Sequence, residues 1–189
     1  MSRSYKIRVP IEVLLSNDRL DKLGRFSMPF DLMQILALAR MQELLTEALL
    51  RAGCSDTGAG LSVPCGVGQT AVIDVENLKI RLEIAPPDDY GIWTEEEYMG
   101  RVTERVQQAL EKGEQLDNHL GAQAEREVAA VMALELRDLA LAARKVLNSA
   151  IKEAYREAIK EKAAQIGNVS AISESSDGNI TRIRIEVSV

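Results

Sequence analysis

The stretch from Asp117 to Gln165 reads DNHLGAQAEREVAAVMALELRDLALAARKVLNSAIKEAYREAIKEKAAQ. It contains no proline, its only glycine is Gly121, and alanine, leucine, glutamate, arginine and lysine fill most of it. Because these residues favour helix, we expect one uninterrupted helix of roughly 65–70 Å, at about 1.5 Å per residue. One small core cannot cover a helix of that length, so its apolar stripe requires a partner helix, a sheet or a second chain.

A second helix is expected just before this stretch, over residues 94–112. Thr94 and Glu97 match a capping box, and Gly113 fits the position just past the helix end. The apolar spacing in the long helix drifts and keeps no strict seven-residue repeat. We therefore interpret 94–165 as an antiparallel helical hairpin arm, with coiled-coil-like packing, rather than as a parallel coiled coil.

Three other segments alternate with the period of two that is typical of strands. Residues 5–13 form the first, and Pro10 places that strand at an edge or near its end. A hairpin follows over residues 72–84, with its turn at Glu76-Asn77. At the C-terminal end, Val169 to Glu174 leads through Ser175-Ser176-Asp177-Gly178 to a last alternating strand over 182–189.

The rest of the chain supplies one more helix and one loop. A broad apolar face predicts a helix from Pro29 or Asp31 to Ala52, and the glycine-rich residues 53–69 are interpreted as a mobile loop. The prediction is a single α+β domain over residues 1–189. In it, a small, partly antiparallel sheet is formed by both termini and the central hairpin. Helices pack on this sheet, and the arm 94–165 is inserted between its strands.

Composition excludes several classes of protein. Of the 189 residues, 46% are hydrophobic, which supports a folded core, and the net charge of −6 argues against general binding of nucleic acid or anionic membranes. No apolar run reaches the length of a membrane-spanning helix, and the N-terminal residues do not resemble an export signal. We expect a cytoplasmic protein with reduced thiols at Cys54 and Cys65.

Residues with catalytic or ligand-binding chemistry are few. Cys54, Cys65 and His119 are the only soft or imidazole ligands, and the cysteines are not spaced like the close pairs of structural zinc sites. Gly66-Val67-Gly68 precedes a strand, whereas phosphate loops follow one and open a helix. The acidic runs Asp88-Asp89 and Glu95 to Glu97 fit a turn and a helix start. We therefore assign no catalytic residue, no metal and no cofactor.

The charge of the long helix is polarised along its length. Residues 94–138 carry eleven acidic and five basic side chains, whereas residues 139–165 carry six basic and three acidic ones. A solvated helix face explains this pattern, and so does docking on an acidic surface of a protein partner or of a second copy. The residues assigned to partner binding are Arg144, Lys145, Lys152 and Arg156.

Three segments resemble a known protein family. They are the opening Met1-Ser-Arg-Ser-Tyr-Lys-Ile-Arg-Val9, the hairpin from Val72 to Ile84, and the ending from Gly167-Asn-Val-Ser to Ile185-Glu-Val187. They are similar to small accessory proteins of bacterial FtsH ternary systems, in which an FtsH-like AAA ATPase occurs with several small domains. The resemblance implies an adaptor or structural partner of an ATPase, and it brings no catalytic residues.

Two functions follow as hypotheses. The first is a non-enzymatic accessory or assembly protein that docks on a partner, an AAA ATPase among the candidates, or self-associates as a homo-oligomer through its long helix. The alternative is a ligand-binding or enzymatic domain that uses the glycine-rich loop 53–69, because long loops often carry function.

Overall fold

A computed structural model describes residues 4–116, 118–177 and 180–188, and it confirms the α+β class. The helices are α1 (Asn17–Gly24), α2 (Leu38–Arg51), α3 (Met99–Lys112) and α4 (Asn118–Ile166). The strands are β1 (Ser4–Pro10), β2 (Arg25–Pro29), β3 (Ser55–Asp56), β4 (Leu61–Ser62), β5 (Gln69–Asp74), β6 (Lys79–Ile84), β7 (Asp89–Glu95), β8 (Asn168–Asp177) and β9 (Ile180–Ser188).

The chain folds into two compact units. Unit 1 contains the residues up to Phe26 together with Val67–Gln69 and Leu82–Leu139, and unit 2 contains Ser27–Gly66, Thr70–Arg81 and the residues from Ala140 onward. The long helix α4 therefore contributes its first part to unit 1 and its second part to unit 2. The single domain over 1–189, and the pairing of α3 with α4 as an arm, stay predictions.

Unit 1 is organised around an antiparallel ribbon of β1 and β7. The chain leaves β1 through a 3₁₀ turn at Ile11–Val13, and Ile11 N–H donates to Asp88 O at 3.0 Å. Helix α3 packs on both strands and on this turn. The link between α3 and α4 is fixed because Leu116 N–H donates to Val13 O at 2.7 Å. The core of unit 1 is aliphatic, and its buried side chains come from β1, β7, the three helices of the unit and the segment before α1: Val9, Leu15, Leu20, Ile92, Val106, Val128 and Met132.

Unit 2 places α2 beside the C-terminal half of α4. Two ion pairs, Arg40–Glu161 at 2.5 Å and Arg51–Glu153 at 3.5 Å, show that the helices run antiparallel, since the residue number rises on one helix as it falls on the other. The buried side of α4 here is mostly alanine, which permits close approach of the helices, and the alanines are Ala143, Ala150, Ala154, Ala158 and Ala163. Helix α2 thus covers the part of α4 for which the sequence required a partner.

The prediction of the long helix is confirmed. α4 is 49 residues long, which corresponds to about 73 Å. The expected ends are also found: Gly113 terminates α3 in the left-handed region at φ 64°, and Gly167 N–H donates to Ala163 O at 3.3 Å just past α4.

The prediction of one sheet from both termini and the hairpin is wrong. The strands of the described residues form three sheets: a β1–β7 ribbon, a five-stranded sheet in the order β2-β6-β5-β4-β3, and a β8–β9 hairpin. The physical reason is β7, a strand that was not predicted. It offers Ile92 opposite Ile7 and Tyr90 opposite Val9, and so supplies the apolar partners that β1 needs.

Two further boundaries differ from the prediction. The capping box at Thr94 and Glu97 is wrong because Thr94 still pairs with Tyr5 in the ribbon, and α3 begins only at Met99. Helix α2 begins at Leu38 rather than at residue 29 or 31. Before it, Phe30 N–H donates to Leu78 O and Met33 N–H donates to Tyr155 Oη, bonds that replace helical ones.

Two segments for which no helix or strand was predicted also contain regular structure. Residues 16–27, a mostly polar stretch, contain α1 and the start of β2. The glycine-rich loop 53–69 contains β3 and β4, which join the five-stranded sheet because Leu61 and Val63 are buried there. In the hairpin turn after β5, the residue with positive φ is Leu78 at 51°, not Asn77. Asn77 instead donates its N–H to Asp74 Oδ1 at 3.0 Å.

Candidate interaction sites

The two faces of the β1–β7 ribbon differ in chemistry. The register places Lys6 opposite Trp93 and Arg8 opposite Gly91, so these four residues share one face, because side chains alternate along a strand. Val9, on the other face, is fully buried. The ribbon therefore presents a basic and aromatic face outward while its apolar face joins the core of unit 1.

A groove with a cavity volume of about 530 Å³ lies between this ribbon and the first third of α4. Two large apolar side chains that line this groove are exposed to solvent: Trp93 is 69% exposed and Val131 is 55% exposed. Its base is apolar where Ile92 and Val128 are buried. Open apolar surface of this kind, beside charged groups, is typical of a site that binds another molecule.

Lys6 and Trp93 are arranged as a pair on the ribbon face. The Lys6 ammonium lies 6.0 Å from the centroid of the Trp93 ring, within the range of a cation–π interaction. Gly91 makes this possible, since a Cβ at that position would overlap the Lys6 methylenes. Beside this pair, Arg8 Nη1 lies 3.3 Å from Asp89 Oδ2.

The carboxylate of Glu127 lines the α4 side of the groove and accepts two hydrogen bonds. Tyr90 Oη donates to Glu127 Oε2 at 2.6 Å, and Gln123 Nε2 donates to Glu127 Oε1 at 3.1 Å. These bonds lower the pKa of Glu127, with Tyr90 the larger cause. Burial, followed by the bond to Glu127, raises the pKa of Tyr90 to about 12. Both groups therefore keep one protonation state around neutral pH, which suits binding better than proton transfer.

The residues assigned to partner binding lie together on α4 within unit 2. Arg144, Lys145 and Lys152 are exposed, and Arg144 lies about 100° around the helix from Lys145. Lys145 and Lys152 follow the side of the helix opposite the buried alanines. Arg156 is on the same side as these two lysines but is half-buried, and its Nη1 lies 3.5 Å from Glu153 Oε2. Three of the four residues thus share one side of α4 and Arg144 flanks them, and we call this set the basic stripe.

The glycine-rich loop borders a second cavity, of about 440 Å³, inside unit 2. Asp56 accepts a hydrogen bond from Gly58 N–H at 2.8 Å, which folds the loop tightly. Arg81 contacts the Ala59 carbonyl and lies 3.3 Å from Asp74 Oδ2. The guanidinium of Arg81, which lines this cavity, is therefore already neutralised within the protein.

The two cysteines considered for metal or nucleophilic chemistry differ in exposure. Cys54 is buried, which raises the pKa of its thiol, and Cys65 is exposed. The side chain of His119 lies outside the described residues. Among those that are described, no group of three or more His, Cys, Asp or Glu residues is placed to hold a metal ion. Gly68 adopts φ 74° and accepts a hydrogen bond from Ala85 N–H at 2.7 Å.

Trp93 and Glu127 are the site residues that sequence reasoning missed. The signal was present: Tyr90, Ile92 and Thr94 alternate with Asp89, Gly91 and Trp93 as in a strand. The prolines before this segment and the acidic run after it favour a break followed by a helix. These two signals outweighed the alternation, so no strand was predicted.

The fold and these surfaces define an α+β protein with a long helix, a groove on one unit and a basic stripe on the other. The chain belongs to the family described as FtsH ternary system domain X5, whose family model matches residues 1–189. The resemblance to FtsH ternary systems is thereby confirmed, and the chain is a component of such a system.

No curated protein and no solved structure matches the sequence significantly. Within the described part of the chain, no helix is both long enough and apolar enough to span a membrane, and that includes α4.

Proposed function

We propose that this chain is a non-enzymatic accessory domain that binds a protein partner through the groove between the β1–β7 ribbon and α4. The observation that carries the proposal is Trp93, a large aromatic side chain 69% exposed at the mouth of a groove. Tryptophan is enriched among the residues that dominate binding energy at protein interfaces. A monomer gains little by exposing it, so a partner that buries the ring is the favoured explanation.

The side chains around the groove define the chemistry of its occupant. Trp93 and Val131 require an apolar side chain between them. Lys6, over the Trp93 ring, favours a carboxylate on the same segment. Glu127 demands no incoming cation, because Tyr90 and Gln123 already donate to it. The expected occupant is an exposed segment of a protein partner that carries an acidic residue next to an apolar one.

The ATPase of the same FtsH ternary system is the partner to test first. We expect Trp93→Ala to weaken binding about 30-fold, the loss of about 2 kcal/mol that defines an interface hot spot. Tyr98→Ala is the matched control, because Tyr98 is also an exposed aromatic residue of unit 1 but does not line the groove. The measurement is a titration of the purified ATPase, with ATP present, followed by isothermal calorimetry or biolayer interferometry.

Two results would contradict the proposal. Equal affinities for the Trp93→Ala and Tyr98→Ala variants would remove the groove from the interface. No binding by the wild-type chain, to the ATPase or to the other proteins of the system, would leave the groove without its proposed occupant. Far-UV circular dichroism of each variant shows whether the fold is retained.

The basic stripe is a second docking surface, favoured by its own observation. Arg144, Lys145 and Lys152 are all exposed on α4, with the two lysines on one side of the helix, whereas Arg40 and Arg51 of the adjoining helix α2 are in ion pairs. A stripe of one charge suits an acidic surface, on a partner or on the acidic part of a second copy of the chain.

We expect reversal of this charge (Arg144→Glu, Lys145→Glu and Lys152→Glu together) to weaken association about ten-fold at low salt. The effect should shrink at higher ionic strength, because screening shortens the range of exposed charges. The control makes the same change of net charge at Arg101, Arg105 and Lys112, all exposed on α3. Equal losses in both triple variants would indicate a net-charge effect and count against the stripe.

Ligand binding at the glycine-rich loop is the second candidate function. The cavity beside residues 56–61 favours it. It ranks below docking because Arg81, its cation, is already held by Asp74 and by the Ala59 carbonyl, so an anionic ligand would have to displace these partners.

A further inference from the structure

The β8–β9 hairpin has an apolar face whose described side chains are not buried. The register pairs Val169 with Val187 and Ile172 with Ile185, and Ile183 continues the same face of β9. Among the hairpin residues whose side chains the structure describes, none is buried, and Ile172 is 43% exposed. In the described chain these two strands form a sheet of their own.

An isolated two-stranded hairpin is at best marginally stable in water, and a third strand or a packing partner is usually required. β8 and β9 have ten and nine residues, longer than most strands of this protein, so their open edges are long. The hairpin therefore requires a further strand or a packing partner to be stable, and its strands are long enough for another strand to pair with them.

The two open edges are not equivalent. β8 carries a register shift between Val169 and Ala171 that interrupts its ladder. β9 pairs without a shift, contains no proline or glycine, and is rich in isoleucine. Proteins usually protect an exposed edge with a bulge, a proline or charged side chains, most often lysine. β9 has no bulge, proline or lysine, and its charges are of both signs, so a second strand can match them; this makes β9 the edge that accepts another strand.

We propose that the occupant of this edge is β9 of a second copy of the chain, paired antiparallel about a two-fold axis at Ile185. In this register Ile185 lies opposite the partner's Ile185, and Ile183 lies opposite the partner's Val187. Arg184 lies opposite the partner's Glu186, and the symmetry repeats each pair. Every apolar residue meets an apolar one, and each of these charges meets its opposite.

The neighbouring registers are less favourable. A shift that places the axis at Arg184 sets Arg184 against the partner's Arg184, two like charges directly opposite each other. A shift of a single residue sets the apolar face of one strand beside the polar face of the other. The charges are available for this pairing, because Arg184 and Glu186 are exposed and contact each other only along the surface of one strand, at 3.3 Å.

The resulting sheet has the order β8-β9-β9-β8, with two strands from each chain. The apolar residues Ile172, Ile183 and Ile185 then line a face twice as wide as that of one hairpin. The inference rests on the hairpin alone and is independent of the groove and of the basic stripe.

The test is a charge swap measured on the full chain. Sedimentation velocity over a concentration series should show wild-type chain in equilibrium between 20.8 kDa and twice that mass. Arg184→Glu should weaken the dimer about ten-fold, since two attractive pairs become repulsive, and Glu186→Arg should do the same. The double variant Arg184→Glu/Glu186→Arg should recover the dimer, which a folding defect would not allow.

Arg182→Glu is the matched control, because this residue shares the polar face of β9 but lies opposite the partner's Ser188 in the proposed register. A wild-type chain that stays at the monomer mass at several hundred micromolar overturns the proposal. A dimer that neither single charge change weakens overturns the β9 register. Recovery in the double variant, with little effect of Arg182→Glu, supports it.

Discussion

Leu49→Ala is expected to destabilise unit 2 by about 2–5 kcal/mol, the range found when a fully buried leucine is truncated. Leu49 is 0% exposed on the core side of α2. Truncation removes the apolar contacts of the leucine side chain and leaves a cavity. The buried alanines of α4 have side chains too short to fill it. The carbonyl of Leu49 also accepts from Cys54 N–H at 3.1 Å, so the residue sits where the helix end is fixed.

Leu50→Ala is the control for this change. It removes the same atoms from the next residue of the same helix, but Leu50 is 46% exposed, so we expect an effect within about 0.5–1 kcal/mol. Urea unfolding followed by far-UV circular dichroism measures both variants. Similar midpoints for the two leucines would show that the core of unit 2 does not lie where the structure places it.

The fluorescence of Trp93 adds a second probe to the same experiment. It is the only tryptophan of the chain and lies in unit 1, whereas Leu49 lies in unit 2. If the units unfold independently, Leu49→Ala shifts the circular dichroism transition and leaves the fluorescence transition nearly in place. A common shift of both transitions would indicate that the units unfold together.

The elements predicted well are those with a long or regular signal. α4 has 49 residues with strong helix formers and no proline, so no tertiary contact is needed to recognise it. β6 and β9 alternate cleanly because one face of each strand is apolar. The resemblance to FtsH ternary systems also came from these regular segments, and it is confirmed over the whole chain.

The elements missed are short or depend on partners distant in sequence. β3 and β4 have two residues each, and they exist because β5 offers an edge to β4 and β4 in turn offers one to β3. β7 is defined by its pairing with β1, about 80 residues away, and Pro86 and Pro87 before it favoured a break. The first third of the predicted α2 helix was lost to hydrogen bonds with Leu78 and Tyr155, which sequence periodicity does not encode.

The candidate sites divide in the same way. The basic stripe was assigned from the change of charge along α4 and stays a prediction, and helical spacing places Lys145, Lys152 and Arg156 on one side with Arg144 flanking them. The groove required β7, the register that sets Lys6 opposite Trp93, and the approach of α4 to Tyr90. Three elements distant in sequence build it, and no local pattern could have indicated their meeting.

Gly24→Ala should destabilise unit 1 by about 1–3 kcal/mol, as overpacking of a well-filled core does. Gly24 ends α1 and is buried, and a Cβ there would lie 2.6 Å from the Ile84 carbonyl oxygen and 3.2 Å from Met132 Cε. The methionine side chain can move aside, but the carbonyl belongs to the backbone of β6, which pairs with strands on both sides. The strain must therefore be taken up by the backbone.

The same substitution at a matched glycine, Gly100, is expected to change the stability in the opposite direction. Gly100 lies in the first turn of α3 with no atom within 4 Å of an added Cβ. Gly100→Ala should therefore stabilise unit 1 by about 0.5–1 kcal/mol, because alanine loses less backbone entropy in a helix. Thermal unfolding followed by Trp93 fluorescence compares the two, with the melting temperature expected to fall for Gly24→Ala and rise for Gly100→Ala. A Gly24→Ala variant as stable as the wild type would mean that α1 does not end against β6 as described. That result would also question the packing of α4 at Met132.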